Sequence, residues 1–593
     1  MKTNRIFLAI AAVAVIASCT KNFEEINHNP NKVTYGDVQA SNMFEPLIYG
    51  LAGNYQENAG YWVNNLIQYT CYVSGATRYL ATYYQLSAGN WESIWDTYAR
   101  RGADAQHMID LARTPGKEDP FYEAVGLIMK VQCLYTLTTV FGDIPYTEAY
   151  QRGENLTPKF ESQETVLNLM VADLDAAATI LATAKAPMTA SLDPMYGGAP
   201  AKWRKFANSL RMRILCLETG IDDKYWASIQ TMIDSPADYP VFTSNSDNAK
   251  VVFQEVDPYR NSMGPTAVSS YFDAYNMTEQ MIKMTVVKNA EGNDIYQDPR
   301  LVIYADQKGG KWIGAKSGCL KTEMQDESAK KPAEMNKSVL WRDAMDAFLM
   351  DWSEVLFIEA EGVLAGKLNV AGETARSLYE AAVTASIQKW APYITFNSKY
   401  RDITPAMITE YLASDLASYD KVGAEGLYKS AEELILSQKY LSLYWAGGWE
   451  PYTHWRRTEY PVLTIGDGTE ANDYELPSRF GYPNYTESTN RTNVNEALQR
   501  MGGKNDMHLA LDWSYKKKHG GNRNPNPNAL SARCVMKKLF YILIAGLLAA
   551  VSCQQMEIVE NPQFSAFDDH DNPVLVYGQS LEKALEFGYF QYS

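Results

Sequence analysis

The sequence is poor in the residues that most often carry enzymatic chemistry. It has six His and seven Cys in 593 residues, and no C-x-x-C pair occurs. The fingerprints H-E-x-x-H, G-x-S-x-G, G-x-G-x-x-G and the phosphate-binding P-loop are also absent. These absences argue against a zinc hydrolase, a serine hydrolase and a nucleotide-dependent enzyme. The sequence therefore indicates no catalytic residue, no cofactor and no metal ligand.

Positive charge is also in short supply. The 54 Lys and Arg residues are outnumbered by 70 Asp and Glu, so the formal net charge is −16 and the pI is about 5.0. A nucleic-acid partner requires a basic surface, so the composition argues against one. Aromatic residues, in contrast, are abundant, with 40 Tyr and 13 Trp. Their flat faces can fill a core or stack on sugar rings, and composition does not choose between these roles.

The first 19 residues lack an apolar run long enough to cross a bilayer as a helix. Lys2 and Arg5 precede a short apolar run over 6–17, which is typical of a secretory signal. Residues 16–19 match the bacterial lipobox, in which Cys19 is lipidated and becomes the mature N-terminus. We therefore expect a signal peptide over 1–18 and a lipid anchor at Cys19. The alternative is an ordinary signal peptide with an incidental Cys.

A second segment of this kind lies near the other end. A polar linker over 519–535 precedes 536–552, which has the pattern of another lipoprotein signal, although Ala550 stands where Leu or a β-branched residue is usual. We interpret 553–593 as the truncated start of another lipoprotein, joined through a lost stop codon or a frameshift. The alternative, a C-terminal membrane hairpin, requires a longer apolar run than the thirteen residues at 539–551.

Apolar residues spaced 3.6 apart predict several long helices. The central helix begins at Pro120, with Asp119 as its N-cap, and is followed by an elbow over 141–149, where Gly142 and Pro145 end the helix. Similar stripes predict helices over 43–68 with breaks around Gly53 and Gly60, from Asn90 to Ala112, from Ser162 to Leu181, from Pro200 to Gly220, from Asp351 to Gly366, from Glu373 to Trp390 and from Glu432 to Trp445. Residues 225–345 are dense in Pro, Gly, Asn and Asp and predict irregular structure with a few strands.

Four segments carry a resemblance to a known family. They are Gly-Asp-Ile-Pro-Tyr-Thr-Glu-Ala at 142–149, Trp-Arg-Lys-Phe-Ala-Asn-Ser-Leu at 203–210, Trp-Ser-Glu-Val-Leu-Phe-Ile-Glu-Ala-Glu-Gly at 352–362 and Leu-Pro-Ser-Arg-Phe at 476–480. Through them, roughly residues 19–516 resemble the SusD/RagB-like nutrient-binding lipoproteins of Bacteroidetes outer membranes.

The resemblance implies a mainly α fold. We expect a domain over 19–518, in which a tetratricopeptide-like array of helical hairpins occupies about 40–225 and 345–450. An irregular, loop-rich region with a few short strands, over about 225–345 and 450–518, would lie over the array on the ligand side. The classical 34-residue repeat is not readable, so periodicity alone supports only helical hairpins.

The resemblance also implies a function. It predicts a surface-exposed, lipid-anchored outer-membrane protein that captures glycan oligomers, or peptides in some members, and caps a TonB-dependent SusC-like transporter. The family places binding residues between early helices and on the irregular segment. The candidates at those places are Tyr72, Arg78, Tyr79, Tyr83, Tyr84, Trp91, Tyr304 and Trp312. For each of them, packing against the array is the alternative to ligand contact.

Two other function classes are compatible with the sequence. A surface glycoside hydrolase would need an opposed pair of carboxylates about 5–10 Å apart in a cleft. A helical-repeat scaffold that binds only proteins would have no aromatic-lined concavity near residues 72–91 and 304–312.

Several charged and thiol-bearing residues have structural interpretations. We expect Glu354, Glu359 and Glu361 to bond neighbouring elements because their spacing scatters them around one helix, and Asp143 to form a turn. Arg456 and Arg457 indicate a buried ion-pair network. The disulfide state of four Cys residues is left open; these are Cys71, Cys133, Cys216 and Cys319.

Overall fold

The computed structural model describes residues 38–73, 81–151, 154–187, 189–268, 270–397, 399–400 and 402–525. All of them belong to one compact unit. The signal peptide, Cys19 and the second signal-like segment lie outside the described residues, so their interpretations stay predictions.

The first part of the chain is an array of helices. They are α1 (Ala40–Asn58), α2 (Asn64–Leu66), α3 (Ala88–Ala112), α4 (Pro120–Phe141), α5 (Gln163–Leu181), α6 (Pro200–Glu218) and α7 (Tyr225–Asp234). Helix α3 packs on α4, α4 on α5 and α5 on α6, so sequence neighbours form helical hairpins. This confirms the predicted mainly α architecture.

Helix α4 is the centre of the array. Asp119 caps it, since its Oδ1 accepts the backbone N–H groups of Phe121 and Tyr122 at 3.1 and 3.2 Å. It is long and apolar enough to cross a membrane, but 94% of its most apolar stretch is buried inside the protein, as expected of a core helix. Gly142 ends it with φ 104° and ψ −135°, a conformation that favours glycine.

Two predicted features of the early helices were wrong. Helix α1 runs through Gly53 without a break and passes into a π-helical turn at Ala59–Val63. Helix α3 begins before Asn90 and has Ser87 as its N-cap, where the Ser87 N–H donates to Asn90 Oδ1 at 2.9 Å. Asn90 is therefore the third helical residue of a capping box, so its helix-start signal was read three residues late.

The irregular region contains short strands and helices. The strands are β1 (Thr70–Tyr72), β2 (Ala249–Val251), β3 (Tyr275–Met277), β4 (Val286–Lys288), β5 (Asp294–Gln297), β6 (Ala305–Asp306), β7 (Glu334–Met335) and β8 (Ala347–Met350). Between them lie α8 (Tyr271–Ala274), α9 (Glu279–Thr285), α10 (Leu301–Tyr304), α11 (Met324–Ala329) and α12 (Lys337–Leu340). The strands form an antiparallel sheet in the order β1-β3-β7-β6 and two separate pairs, β2-β8 and β4-β5.

Helices return in the last part of the described chain. They are α13 (Trp352–Leu364), α14 (Ala375–Trp390), α15 (Pro405–Ala413), α16 (Ala431–Ser442), α17 (Glu450–Thr458), α18 (Asn484–Thr489), α19 (Arg491–Met501) and α20 (Tyr515–His519). Helix α13 packs on α14 and α16. Residues 450–518 were expected to be irregular but contain helices. Helices α17 and α19 were missed because they are short and their sequences are mostly polar.

Buried ion pairs join the two halves of the array. The Arg213 guanidinium donates to both Glu354 oxygens at 2.8 and 2.6 Å, and both side chains are at most 2% exposed. Arg457 bonds Glu361 in the same bidentate way, at 2.6 Å twice. The structural roles expected for Glu354 and Glu361 are thus found, whereas for Glu359 the structure shows only that burial and the nearby Glu373 raise its pKa to about 7. Arg456 differs, because it lies over the Tyr452 ring at 3.7 Å, and burial lowers its pKa to about 10.

Asp143 has a longer-range role than the predicted turn. Its Oδ1 accepts the Gln163 N–H at 3.0 Å, and its Oδ2 accepts Arg500 Nε at 3.0 Å. Asp143 therefore connects the end of α4 to the start of α5 and to the end of α19. Burial raises the pKa of this carboxyl to about 6 even though Arg500 opposes the shift.

Candidate functional site

The two non-helical regions that the sequence singled out meet in one sheet. Strand β1 pairs with β3 through Tyr72 opposite Tyr275, and β3 pairs with β7 through Asn276 opposite Glu334. Strand β6, which follows Tyr304, pairs with the other side of β7. The regions around 72 and 304 are therefore neighbours, although more than 200 residues separate them in sequence.

A small core reinforces this junction. Its buried members are Cys71, Val73, Tyr83, Ala315, Cys319 and Met324. The Tyr83 hydroxyl lies 3.7 Å from Cys319 Sγ. All four cysteines of the described chain are buried and not in disulfides, so this core is held by apolar packing.

Four of the predicted ligand residues are buried and present no face to a ligand in this structure. Tyr83, Tyr84, Tyr304 and Trp312 are at most 2% exposed. The Tyr304 hydroxyl donates to the Leu441 carbonyl at 3.2 Å, which ties it to α16. Because this part of the chain lacks helical periodicity, no sequence pattern indicates which rings turn inward.

The other predicted residues have different positions. Arg78 and Tyr79 lie outside the described residues, so their role stays a prediction. Trp91 is half-buried at the start of α3, and a Cβ placed on Gly481 would lie 2.3 Å from its ring. Its indole thus packs against the C-terminal segment. Tyr72 is half-buried at the end of β1.

Tyr72 is one end of a continuous row of four tyrosines, which we call the tyrosine row. Ring centroids are 6.0 Å apart from Tyr72 to Tyr275, 4.5 Å from Tyr275 to Tyr271 and 4.8 Å from Tyr271 to Tyr61. The two central rings are each 3% exposed, whereas the end rings, Tyr61 and Tyr72, are half-buried. The row therefore has a rigid interior and two ends that reach solvent.

The π-helical turn fixes the far end of the row. Burying the row beside α1 requires close contact at Gly60, where a Cβ would lie 2.9 Å from Met263 Cε and 3.2 Å from the Tyr271 hydroxyl. That hydroxyl donates to the Gly60 carbonyl at 2.5 Å. Single π-helical turns inside helices often occur at functional sites. Here the turn places Tyr61 edge-on to Tyr271, with an interplanar angle of 70°.

A cleft of about 580 Å³ lies beside the β4–β5 hairpin in the same irregular region. Its lining includes Asn293, Tyr296, Gln297, Lys311 and Glu410, with the buried Trp312 beneath. The Trp312 indole N–H donates to Gln297 Oε1 at 2.7 Å. The cleft therefore combines amide, charged and aromatic groups, and Trp312 supports its floor rather than offering a face.

The carboxylate of Asp294 in this cleft is already fully engaged. One oxygen bonds Lys288 and the other accepts the Trp312 backbone N–H at 2.8 Å. Because both of its oxygens are already bonded, the Asp294 carboxylate is poorly suited to act as a nucleophile or base. Within the described ranges, no group of three or more His, Cys, Asp or Glu side chains could hold a metal ion.

Comparison with known families decides what this architecture is. Residues 30–483 match the SusD-like family described as "Starch-binding associating with outer membrane". The chain belongs to this SusD-like family. A search of curated proteins gives no match.

Solved structures share the SusD-like fold. An outer-membrane protein of Bacteroides vulgatus, described as probably involved in nutrient binding, is 23% identical, with a TM-score of 0.64 over 80% of this chain and 100% of its own. A SusD homologue from Parabacteroides distasonis is 20% identical, with a TM-score of 0.69 over 83% of this chain and 100% of its own. A chitin-binding SusD homologue from Flavobacterium johnsoniae is 21% identical, with a TM-score of 0.60 over 79% and 98%.

In this SusD-like protein, three members of the tyrosine row were missed by sequence reasoning. Tyr271 and Tyr275 lie in the irregular region but have no periodic neighbours. Tyr275 meets Tyr72 across the β1–β3 pair and Tyr271 meets Tyr61, so both contacts join residues about 200 positions apart. A signal existed for Tyr61, because the Gly-Tyr-Trp triplet at 60–62 coincides with an apparent helix break. A glycine followed by two aromatic residues at such a break indicates a locally distorted turn that exposes an aromatic ring to solvent.

Proposed function

We propose that this SusD-like protein is a non-catalytic, cell-surface receptor that captures an oligosaccharide or polysaccharide. The observation that carries the proposal is the tyrosine row, which lies at the junction of the two regions expected to hold ligand and ends in solvent at Tyr61 and Tyr72. Membership of a starch-binding, outer-membrane-associated family supports it.

Aromatic rings suit this task for a physical reason. Tyr presents a large apolar face with a polar hydroxyl, so it can cover the C–H face of a pyranose while hydrogen-bonding its hydroxyl groups. Packing between the rings pre-orders the row and limits the side-chain entropy lost on binding. The amides of Asn293 and Gln307 in the hairpin cleft offer further donors and acceptors.

The engagement of Asp294 favours binding over glycoside hydrolysis. A hydrolase needs one carboxyl as acid and an opposed carboxylate as base or nucleophile. In the hairpin cleft the remaining carboxylate, Glu410, is exposed and faces no unengaged acidic partner among the lining residues. We therefore propose that the protein releases the bound glycan without cleaving it.

Delivery and anchoring complete the proposal. We infer that Cys19 carries the lipid and that the captured glycan passes to a TonB-dependent SusC-like transporter. Replacing Cys19 by Ala should move the protein from the membrane fraction to the soluble fraction. Tight membrane association of that variant would argue against the anchor.

A glycan screen with product analysis tests the function. The purified protein would be screened against soluble glycans that include maltoheptaose and chitohexaose, together with a set of peptides, and the mixtures analysed for new reducing ends. We expect retention of at least one glycan and no cleavage. Retention of peptides alone would support a peptide-binding member, and new reducing ends would support the hydrolase.

A further inference from the structure

We propose a second carbohydrate site, separate from the tyrosine row, in a cleft of about 390 Å³ against α1. We call it the Tyr49 cleft. We infer that it binds a neutral sugar of one or two rings. The choice of a sugar rests on the proposed function, whereas the shape and lining of the cleft are observed directly. The cleft shares no residue with the tyrosine row or the hairpin cleft.

The floor of the Tyr49 cleft is a stretch of α1 with little side-chain cover. Pro46, Gly50 and Gly53 lie on one face of the helix, at spacings of four and three residues. The space above Gly50 is taken by Arg101 of α3, because a Cβ on Gly50 would lie 2.4 Å from its Cζ. Because Gly50 and Gly53 have no side chains, they leave a groove on the helix, and the Arg101 guanidinium lies in it against the helix backbone.

One wall of the cleft is aromatic. The Tyr49 ring lies 5.4 Å from Phe253 and 5.1 Å from Tyr259, centroid to centroid. Tyr49 and Tyr259 are half-buried, and Phe253 behind them is buried. The two tyrosines are held from their far ends, since the Tyr49 hydroxyl donates to the Val252 carbonyl at 3.2 Å and the Tyr259 hydroxyl donates to Glu45 at 3.3 Å. Fixed, half-open rings of this kind suit stacking on a sugar.

Polar groups complete the lining. Among the described residues, the polar partners of Arg101 are Asn54 at 3.4 Å and Asp104 at 3.5 Å, both at long distances, so its guanidinium can offer N–H groups to a ligand. Glu45 provides acceptor oxygens, and the Arg260 charge is balanced by Asp257 and Asp343 at 3.0 and 2.6 Å.

The charge balance and size of the cleft define the ligand class. Each cation of the cleft has a carboxylate within 4 Å, Arg101 beside Asp104 and Arg260 beside Asp257 and Asp343, so no unpaired cation is left in the described lining to select an anion. A volume of this size with an aromatic wall and a few convergent polar groups fits a small ligand. A neutral mono- or disaccharide matches the combination of apolar ring faces and hydroxyl partners.

Gly50 offers a variant that tests the cleft without unfolding the protein. In Gly50→Ala the new methyl group displaces the flexible end of Arg101 from the groove, while alanine favours the helix more than glycine. We expect unchanged or higher Tm and weaker sugar binding. Gly89→Ala is the matched control, because it also adds a methyl group within a helix but meets only Ser87 Oγ at 3.9 Å.

The experiment uses the full chain, purified in detergent, with maltose and chitobiose as probes. Calorimetry would be run in a Tyr61→Ala/Tyr72→Ala background, which disables the tyrosine row. We expect residual disaccharide binding in this background, with affinity lowered about tenfold by Tyr49→Ala or Gly50→Ala and unchanged by Gly89→Ala. Crystals soaked with either probe should show a sugar ring against Tyr49 and Tyr259.

The outcomes separate this inference from the proposed function. Two results would overturn the second site and leave the tyrosine row intact. One is loss of all sugar binding in the background variant. The other is residual binding whose affinity changes with neither Tyr49→Ala nor Gly50→Ala. Sugar binding that survives in the background with unchanged affinity but is lost on Gly50→Ala would support the Tyr49 cleft and contradict the row. No binding to the wild-type protein would overturn both.

Discussion

At the scale of single residues, burial divides the aromatic side chains into two functional groups. Tyr61 and Tyr72 each expose part of a ring, whereas Tyr304 and Trp312 are sealed against the array and the hairpin. Sequence composition cannot separate the groups, because the chemistry of an aromatic ring suits both. Only the tertiary contacts decide which ring meets a ligand and which stabilises the fold.

Trp312 is expected to act through stability. Replacing it by Ala removes a buried ring and the hydrogen bond to Gln297, so Trp312→Ala should lower the free energy of unfolding by about 3–5 kcal/mol. Urea denaturation followed by circular dichroism measures this. Tyr485→Ala is the control, because this ring is 40% exposed and its loss should change the free energy by less than about 1 kcal/mol. Equal stability of the two variants would mean that Trp312 is not a core residue.

Glu218, at the end of α6, is expected to make stability depend on pH. It is fully buried, and burial together with the nearby Glu164 raises its pKa to about 8, although the Tyr225 hydroxyl and Lys224 oppose the shift. Since this lies above the ordinary value of 4.5, the group's contribution to stability is complete below about pH 4.5 and is lost as the pH rises to about 8.

Glu218→Gln should remove this dependence. Between about pH 5 and pH 8.5, the Tm of the wild type should fall relative to the Tm of the Gln variant, because only the wild type ionises a buried carboxyl. Differential scanning calorimetry at several pH values measures the difference. Parallel Tm profiles for the two proteins would show that Glu218 does not titrate in this range.

At the scale of elements, N-cap residues and apolar residues at helical spacing made the long helices predictable. Asp119 and Ser162 start their helices as expected, because these signals act within one turn. Two features could not be read in this way. The π-helical turn at 59–63 depends on Tyr271 packing over Gly60, and the tyrosine row depends on the β1–β3 pairing. Both are contacts between residues about 200 positions apart, which periodicity does not detect.

The elbow at the end of α4 gives a test at this scale. Gly142→Ala should be clearly destabilising, because φ is 104° and the new Cβ would lie 2.5 Å from Met501 Sδ. Gly502→Ala is a matched control, since φ there is 85° but no atom lies within 4 Å of the new Cβ. We expect a loss of about 1–3 kcal/mol more for Gly142→Ala than for Gly502→Ala in urea denaturation. Equal losses would assign the whole effect to backbone strain.

At the scale of the whole molecule, the family resemblance predicted the helical array, whereas the place where the folded body ends stays a prediction. The chain after Lys518 returns to the body through Arg523. Its guanidinium lies 4.0 Å from the Tyr460 ring and 4.4 Å from the Tyr515 ring, and it donates to the Tyr460 hydroxyl at 2.8 Å. No local sequence pattern marks such a contact.

A pair of truncations tests the importance of this contact. A chain ending at Asn528 keeps Arg523, whereas a chain ending at Lys518 loses it, so the shorter protein should have the lower Tm. Arg523→Ala in the longer chain should reproduce most of the difference. Identical Tm values for the two truncations would show that the body ends at Lys518, as the sequence suggested.

The central claim is that half-open tyrosines, held by a rigid helical platform, bind the sugar. The most direct measurement is calorimetric titration of the preferred oligosaccharide into the wild type and the Tyr61→Ala/Tyr72→Ala variant, with Tyr485→Ala as the control. The account predicts an affinity loss of about tenfold or more in the double variant and none in the control. An unchanged affinity in the double variant, with wild-type Tm, would contradict it.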